Sequence, residues 1–337
     1  MSPPDPDAPH HRTLLVALAG LIGLIGVVAA YATDGPGPAP TPVPAQAGPA
    51  SPGCGRVPIP GPTARAGPSG DVVQSLGVDG LTRSYRLAVP ASYRRSAPTP
   101  LIVLFHGSGS DALEMSVYTR MPERASGSGY LVATPDAVDK QWQLSAPGAA
   151  SADLALVSAL IGDLSARYCV DRSRVYAAGF SLGSEFSAIA ACTPPGRIAA
   201  VGLASAEFPL RPCPGRVSVI AFHGTADPLV AYPAGGVGRS LPGFHVPGVE
   251  QNMAGWARLD GCGLGPEVSR PAPMVMRRSW VDCRDGSRVV LYTVLGGGHS
   301  WPGSPVTLPV GIFGTTTRQI DATGLMLGFF ARTRLRR

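Results

Sequence analysis

The sequence predicts an α/β fold, a mostly parallel central sheet covered by helices on both faces. Short apolar segments of strand length alternate with segments of helical period, which is the pattern of strand–helix–strand units. Glycine and proline occupy 79 of the 337 positions, 43 Gly and 36 Pro, and this content excludes a long helical bundle or coiled coil. Hydrophobic residues make up 45% of the chain and charged residues 15%. The chain is therefore too apolar for a disordered protein and can form a large core.

The N-terminal segment predicts export. Residues 13–32 are an uncharged run of twenty, long enough to cross a bilayer. The run ends in Ala30-Tyr31-Ala32, a small-x-small pattern that a signal peptidase can cleave, so residues 1–32 fit either a signal peptide or a membrane anchor. Arg12 before the run favours a cytoplasmic N-terminus with the rest outside. We expect a secreted or extracytoplasmic protein whose only membrane contact is through residues 13–32.

A spacer follows this segment. Residues 33–70 contain 11 Pro and 8 Gly in 38 positions, a composition that favours an extended linker without a core of its own. The remaining 267 residues, 71–337, suit one α/β domain. We expect this domain to be catalytic and monomeric.

All six cysteines follow the apolar run, which predicts disulfide bonds formed in an oxidising compartment. Cys262 and Cys283 are expected to form a local pair that closes a loop before the last strand. The other four should form two more bridges, whose connectivity the sequence alone does not determine. The spacings contain no C-x-x-C pair, so we expect no metal site. The cysteines are Cys54, Cys169, Cys192, Cys213, Cys262 and Cys283.

The elements of the domain can be predicted in order. Val72 to Leu76 and Thr82 to Val89 alternate in polarity around Gly77-Val78-Asp79-Gly80, which indicates a hairpin. Leu101 to Phe105 is continuously apolar, as in a strand buried on both faces of a parallel sheet. The clearest helix spans Ala152 to Tyr168. Further strands are expected at residues 130–134, 174–178, 199–204, 217–222 and 289–295.

Ser181 is the candidate nucleophile. It is central in Gly179-Phe180-Ser181-Leu182-Gly183, between the strand at 174–178 and a helical stretch at 184–192. A sharp strand-to-helix turn leaves no room for a Cβ two residues before or after the serine, which explains both glycines. Chance matches to G-x-S-x-G are common in a glycine-rich chain, so the flanking strand and helix carry the interpretation.

Asp227 and His299 supply the other two groups of a serine hydrolase. Asp227 follows the strand at 217–222, and His299 follows the strand at 289–295. A serine hydroxyl needs a neutral imidazole to take its proton, and a carboxylate to orient that imidazole. The chain order serine, acid, histidine is the order of the α/β-hydrolase fold. Each residue alone also fits a structural role, as a turn serine, a helix cap and a loop histidine.

The other titratable candidates receive structural interpretations. We interpret His106 and His223 as residues hydrogen-bonded within strand-end turns. Asp171, Glu207 and Asp260 are weaker candidates for the acid, because only Asp227 follows a strand that leads into a His-Gly turn.

The oxyanion hole is expected from two backbone amides. Ser108 lies in the glycine-containing loop after the strand at 101–105, and Leu182 follows the nucleophile; these are the two places from which the fold supplies N–H donors. Trp301 and Trp142 are candidates for a pocket wall. No metal or organic cofactor is expected for this chemistry.

Longer motifs resemble a known family. Arg83 to Pro90, Tyr168 to Tyr176, His223 to Asp227 and Gly298 to Gly303 are similar to segments of the polyhydroxybutyrate depolymerase-like esterases. That group includes secreted feruloyl esterases of carbohydrate esterase family 1. The resemblance covers about Gly53 to Phe330 and implies an α/β-hydrolase with Ser181 as nucleophile, Asp227 as acid and His299 as base.

The chain departs from this family near the nucleophile. It has Leu182-Gly183-Ser184 where Asn-Gly-Gly is usual, and then Glu185-Phe186 where methionines are common. The loop at 107–110 lacks the cysteine and glutamine often found there. These differences concern the pocket rather than the triad.

The resulting hypothesis is an exported serine carboxylesterase that forms an acyl-enzyme. The expected substrates are feruloyl or acetyl esters on carbohydrate, or short hydroxyalkanoate esters. A polyhydroxybutyrate depolymerase, a membrane-tethered binding protein on a hydrolase fold, and a serine peptidase of the same fold are the alternatives. The formal net charge is +6, but no nucleic-acid-binding motif accompanies it, so no nucleic-acid partner is expected.

Overall fold

The computed structural model describes residues 49–57, 70–144, 151–193, 197–209, 213, 215–236, 238, 247–263 and 265–335. All of them belong to the second of two compact units, Tyr31–Arg337. The predicted signal peptide or anchor at residues 1–32 lies outside the described residues. Among the residues that are described, no helix is long and apolar enough to cross a membrane.

The described strands form a single sheet. They are β1 (Val72–Val78), β2 (Leu81–Ala88), β3 (Thr99–Phe105), β4 (Leu131–Pro135), β5 (Val170–Phe180), β6 (Ala200–Ala204), β7 (Ser218–Gly224), β8 (Glu267–Ala272), β9 (Val275–Trp280) and β10 (Val289–Val294). Their order is β1-β2-β4-β3-β5-β6-β7-β10-β9-β8. The strands from β4 to β10 in this order pair in parallel, and antiparallel pairs extend the sheet at both ends. The predicted mostly parallel sheet is confirmed.

Helices cover both faces of the sheet. They are α1 (Ala112–Thr119), α2 (Met121–Gly127), α3 (Ala152–Arg167), α4 (Leu182–Cys192), α5 (Val249–Leu259), α6 (Val310–Phe313) and α7 (Ala322–Phe330). One hydrophobic cluster joins the sheet to α3, α4 and α5, and a second joins it to α1, α2 and α7. Because both faces are covered, β3, β4, β6, β7 and β10 are buried throughout.

Local sequence signals explain several boundaries. The hairpin between β1 and β2 turns through Asp79 and Gly80, which have φ of 48° and 79°, as a two-residue turn of type I′ requires. Helix α3 begins after Ser151, whose side chain accepts a hydrogen bond from the Leu154 amide. Both elements lie where the sequence predicted them.

Two parts of the fold differ from the sequence analysis. The antiparallel strands β8 and β9 were not predicted, because β8 is exposed along most of its length and has no continuous apolar pattern. Residues 49–57, assigned to the spacer 33–70, instead contact the domain: Ala50 bridges to Asp171, and the Ser51 hydroxyl donates to the Tyr168 carbonyl at 2.7 Å. The ordered domain therefore includes this segment.

Three disulfides join the six cysteines. The predicted Cys262–Cys283 bridge is confirmed, and the other two are Cys54–Cys169 and Cys192–Cys213. The first of these fastens the segment at 49–57 to the domain across a sequence separation of 115 residues. Three disulfides indicate an extracytoplasmic protein.

Candidate active site

Ser181 lies in a strained turn between β5 and α4. Its φ is 54° and its ψ is −123°, a region that residues other than glycine rarely adopt. A Cβ on Gly179 would lie 2.1 Å from the Gly183 carbonyl oxygen, and a Cβ on Gly183 would lie 2.3 Å from that of Phe105. The turn thus requires both glycines, and it projects Ser181 from the carboxyl edge of the sheet.

The loop with Ser108 lies against this turn. A Cβ on Gly107 would be 3.5 Å from the Ser181 Cβ, so loop and nucleophile are direct neighbours. The Gly109 amide donates to the Lys140 carbonyl at 3.0 Å, which fixes the loop. The backbone N–H groups of Ser108 and Leu182 donate to no other described residue, and Leu182 is the first residue of α4, whose amide has no partner within the helix. Both amides are available to an oxyanion.

Asp227 and His299 are in contact at the ends of neighbouring strands. The His299 Nδ1–H donates to Asp227 Oδ2 at 2.8 Å, and both residues are buried. Asp227 Oδ1 accepts from the amides of Leu229 and Val230 at 2.8 and 2.9 Å. A proton on Nδ1 leaves Nε2 as the basic nitrogen.

Packing holds His299, the candidate base, against the residue that precedes Ser181. The imidazole of His299 packs against the ring of Phe180, the residue before Ser181, at a centroid distance of 4.9 Å. The backbone amide of His299 donates a hydrogen bond to the Phe313 carbonyl at 2.6 Å. His299 therefore lies between the nucleophile turn and α6.

A second histidine lies behind the acid. His223 Nδ1 is 2.7 Å from Glu207 Oε2, and its Nε2 is 3.0 Å from the Val230 carbonyl and 3.3 Å from Asp227 Oδ2. Both ring nitrogens face acceptors, so His223 is best accommodated as an imidazolium. Burial opposes this charge, but Glu207 and Asp227 outweigh it and raise the pKa of His223 to about 10.

The two imidazoles keep Asp227 ionised. Burial alone would raise the pKa of Asp227, but His299 and His223 lower it well below its usual value. The interpretation of His223 as a structural residue therefore needs extension, since it contacts the candidate acid. The sequence signal was the spacing of His223 and Asp227 in one turn; nothing local marked Glu207 as their partner.

His106 behaves differently from His223. Its Nδ1 donates to the Gly107 carbonyl at 2.8 Å, and its Nε2 accepts from the Ala137 amide at 3.1 Å. This pattern needs only a neutral ring, and burial lowers the pKa of His106. The structural interpretation of His106 agrees with these contacts.

The pocket-wall prediction for Trp301 and Trp142 is corrected. Both are buried in the hydrophobic core. The Trp301 indole donates to Thr323 Oγ1 at 3.0 Å, and Trp142 stacks on Phe186 with centroids 4.8 Å apart. A tryptophan enclosed in this way cannot line a substrate cleft. Sequence reasoning could not distinguish the two environments, because tryptophan is common in both.

Exposed apolar residues instead come from α6, beside the base. The ring of Phe313 faces that of His299 with centroids 6.3 Å apart. Val310 and Ile312 in the same short helix are 52% and 40% exposed. This segment was not predicted from the sequence to be part of the site. Within the described part of the chain, no group of three or more His, Cys, Asp and Glu side chains could hold a metal ion.

Comparison with known proteins identifies the family. Residues 83–248 match the family described as Esterase PHB depolymerase. This part of the chain belongs to that esterase family. It is thus a carboxylic ester hydrolase, and the resemblance seen in the motifs is confirmed.

Relatives and structures agree with the family. "Putative esterase NocK" of Nocardia uniformis subsp. tsuyamanensis is 29% identical over 75% of this chain and 80% of its own length. "Feruloyl esterase B" of Piromyces equi is 26% identical over 63% of this chain, and the aligned region covers 41% of that protein's own length. The solved acetyl xylan esterase from Aspergillus awamori aligns with a TM-score of 0.52 at 15% identity, over 68% of this chain and 94% of that one. The α/β-hydrolase fold is therefore confirmed.

Proposed function

We propose that this esterase is an exported serine carboxylesterase that works through an acyl-enzyme formed on Ser181. One observation carries the proposal: the buried Asp227–His299 pair is packed against the strained turn that presents Ser181. In this mechanism Ser181 Oγ attacks the ester carbonyl while His299 Nε2 takes its proton. The amides of Ser108 and Leu182 bind the oxyanion.

Acylation is completed by the departure of the alcohol, and deacylation by water follows. His299 protonates the leaving alkoxide, and the acyl group stays on Ser181. Water then attacks the acyl-enzyme, with His299 again as the base, and releases the acid. Asp227 stays ionised throughout and stabilises the imidazolium of His299.

The proposed substrates are soluble esters: hydroxycinnamoyl or acetyl groups on carbohydrate, or short hydroxyalkanoate esters. Relatives named as feruloyl esterases, from Piromyces equi and Neurospora crassa, support the first of these. The family description supports the alternative, a polyhydroxybutyrate depolymerase. A binding protein without activity is disfavoured because Ser181, Asp227 and His299 are all retained.

The cellular arrangement is also a proposal. Residues 1–32 act either as a signal peptide or as a membrane anchor. An anchor would keep the domain on the extracytoplasmic side of the membrane, with residues 33–48 as part of the spacer. The mature N-terminal sequence would distinguish the two.

Fluorophosphonate labelling tests the mechanism. The purified domain should be labelled at Ser181 and should hydrolyse p-nitrophenyl acetate, and Ser181→Ala should lose both. Ser75→Ala, in the exposed part of β1, is the matched control and should keep both. Labelling at another residue, or activity that survives Ser181→Ala, would contradict the proposal.

Substrate class needs a separate comparison. Methyl ferulate, acetylated xylo-oligosaccharides, hydroxybutyrate oligomers and a solid polyhydroxybutyrate film would be compared by kcat/KM or by acid release. We expect higher activity on the soluble esters; faster release from the film would favour the depolymerase.

A further inference from the structure

Glu185 shares the solvent-accessible face of α4 with the nucleophile. From Leu182 to Cys192 every residue is buried except Leu182 and Glu185. Residues three and four apart on a helix are neighbours, with Cβ atoms about 5–6 Å apart, so Glu185 lies beside Leu182 and one turn after Ser181. Ser181, Leu182 and Glu185 are all half-buried, so Glu185 shares with the nucleophile the part of α4 that solvent reaches.

The Glu185 carboxyl has no hydrogen-bond or ion-pair partner among the described residues. Every other described acidic residue that is buried or half-buried accepts a hydrogen bond or forms an ion pair, as Asp71 does with Arg86 and Asp153 with Arg83. No hydrogen bond or ion pair joins the side chain of Glu185 to any described residue. A carboxyl that has lost much of its water without gaining a partner is costly.

The Glu185 carboxyl is partly desolvated, and no described charged residue shifts its pKa. Burial by itself raises the pKa of Glu185 to about 7, and no cation of the described part of the chain offsets it. Near neutral pH the group is therefore present both as a carboxylate, which only accepts hydrogen bonds, and as a carboxylic acid, which also donates one.

We propose that Glu185 binds a hydroxyl group of the ester substrate. A hydroxyl both donates and accepts, so it fits either form of the carboxyl, whereas an anionic group would be repelled by one of them. This inference rests on the proposed function and deepens it. Phenolic hydroxycinnamoyl esters, sugar esters and hydroxyalkanoate esters all carry a hydroxyl that could fill this role.

Paired esters that differ only in a hydroxyl test the proposal. Methyl ferulate is compared with its 4-O-methyl ether, p-nitrophenyl 3-hydroxybutyrate with p-nitrophenyl butyrate, and p-nitrophenyl glycolate with p-nitrophenyl acetate. The readout is the ratio of kcat/KM within each pair, for the wild type, Glu185→Gln and Glu185→Leu. Glu267→Gln, an exposed glutamate on β8, is the control for loss of one negative charge.

The expected result is a change in selectivity. Wild type should prefer the hydroxylated ester in at least one pair, and Glu185→Leu should reduce that preference about tenfold to a hundredfold, the worth of a hydrogen bond to a charged group. Glu185→Gln, which can still donate and accept, should keep part of it, and Glu267→Gln should keep all of it. Thermal unfolding should show that Glu185→Leu is at least as stable as the wild type, because it removes a desolvated carboxyl.

Two outcomes would overturn the inference while leaving the proposed function standing. They are an active wild type without preference in any pair, and an active Glu185→Leu variant with unchanged ratios. A wild type that neither hydrolyses esters nor reacts with fluorophosphonate at Ser181 would overturn both.

Discussion

Replacing Glu207 by glutamine should remove the charge that keeps His223 protonated next to Asp227. Glu207 Oε2 is 2.7 Å from His223 Nδ1, and both side chains are buried. In Glu207→Gln the amide oxygen can still accept this hydrogen bond, but the negative charge that stabilises the imidazolium is lost. His223 should then become neutral near pH 7, and Asp227 should lose its second cationic neighbour.

The magnitude follows from the shift in His223. Its pKa rises from 6.5 to about 10 on folding, and one pKa unit is worth about 1.4 kcal/mol, so up to about 5 kcal/mol depends on the two carboxylates. Breaking a buried pair by removing one partner costs about 3–5 kcal/mol. We expect the lower end, about 3 kcal/mol at pH 7, because the amide keeps the hydrogen bond.

The pH dependence gives the sharpest readout. Because the folded pKa of His223 exceeds the unfolded value, its stabilisation is complete below pH 6.5 and is lost as pH rises towards 10. Wild type should therefore lose stability across this interval, and Glu207→Gln should lose much less.

Urea unfolding at steps from pH 6 to 10 measures this difference directly. Glu250→Gln, which neutralises an exposed glutamate on α5, is the control and should follow the wild-type slope. We also expect kcat of Glu207→Gln to fall about tenfold, since one charge-assisted contact that orients Asp227 is weakened. Parallel stability curves for wild type and Glu207→Gln would refute the assignment of a cationic His223.

Three further predictions concern single features of the fold. Burial raises the pKa of Asp260 to about 6, so its ionisation makes the folded state less stable as pH rises from about 4 to 6. Asp260→Asn should stabilise the protein at pH 8 by about 2–3 kcal/mol and change little at pH 3.5; equal effects at both pH values would contradict this. Gly183→Ala places a Cβ 2.3 Å from the Phe105 carbonyl oxygen, so activity should fall by at least a hundredfold and fluorophosphonate labelling should slow in parallel. Replacing Cys262 and Cys283 together by alanine opens a loop with a sequence separation of 21 and should cost about 3 kcal/mol by chain entropy; unfolding midpoints under non-reducing conditions would measure this loss.

The sequence predicts structure correctly where the signal is local. Continuous apolar runs located the parallel strands, because a strand covered on both faces has no polar side. The glycines around Ser181 indicated the sharp turn, since the backbone contacts that exclude a Cβ there are made within and beside that turn. The hairpin of β8 and β9 escaped prediction because an exposed edge strand carries no such run.

In contrast, the sequence could not predict whether a particular apolar side chain is enclosed in the core or exposed beside the site. Trp301 and Trp142 have the chemistry of a pocket wall, yet they are enclosed in the two hydrophobic clusters. The exposed apolar residues next to His299 come from α6, whose four residues have no periodicity long enough to interpret.

The sequence by itself determined the parallel strands, the hairpin of β1 and β2, the helix α3, the six cysteines and the three residue types of a serine hydrolase. Tertiary structure decided which of these groups meet: His299 with Asp227 across 72 residues, His223 with Glu207 across 16, and Cys54 with Cys169 across 115. It also left Glu185, beside the nucleophile, without a partner among the residues that the structure describes. The physical reason is range, because side-chain periodicity reports local backbone geometry, whereas burial, pairing and pKa depend on neighbours that only the folded sheet brings together.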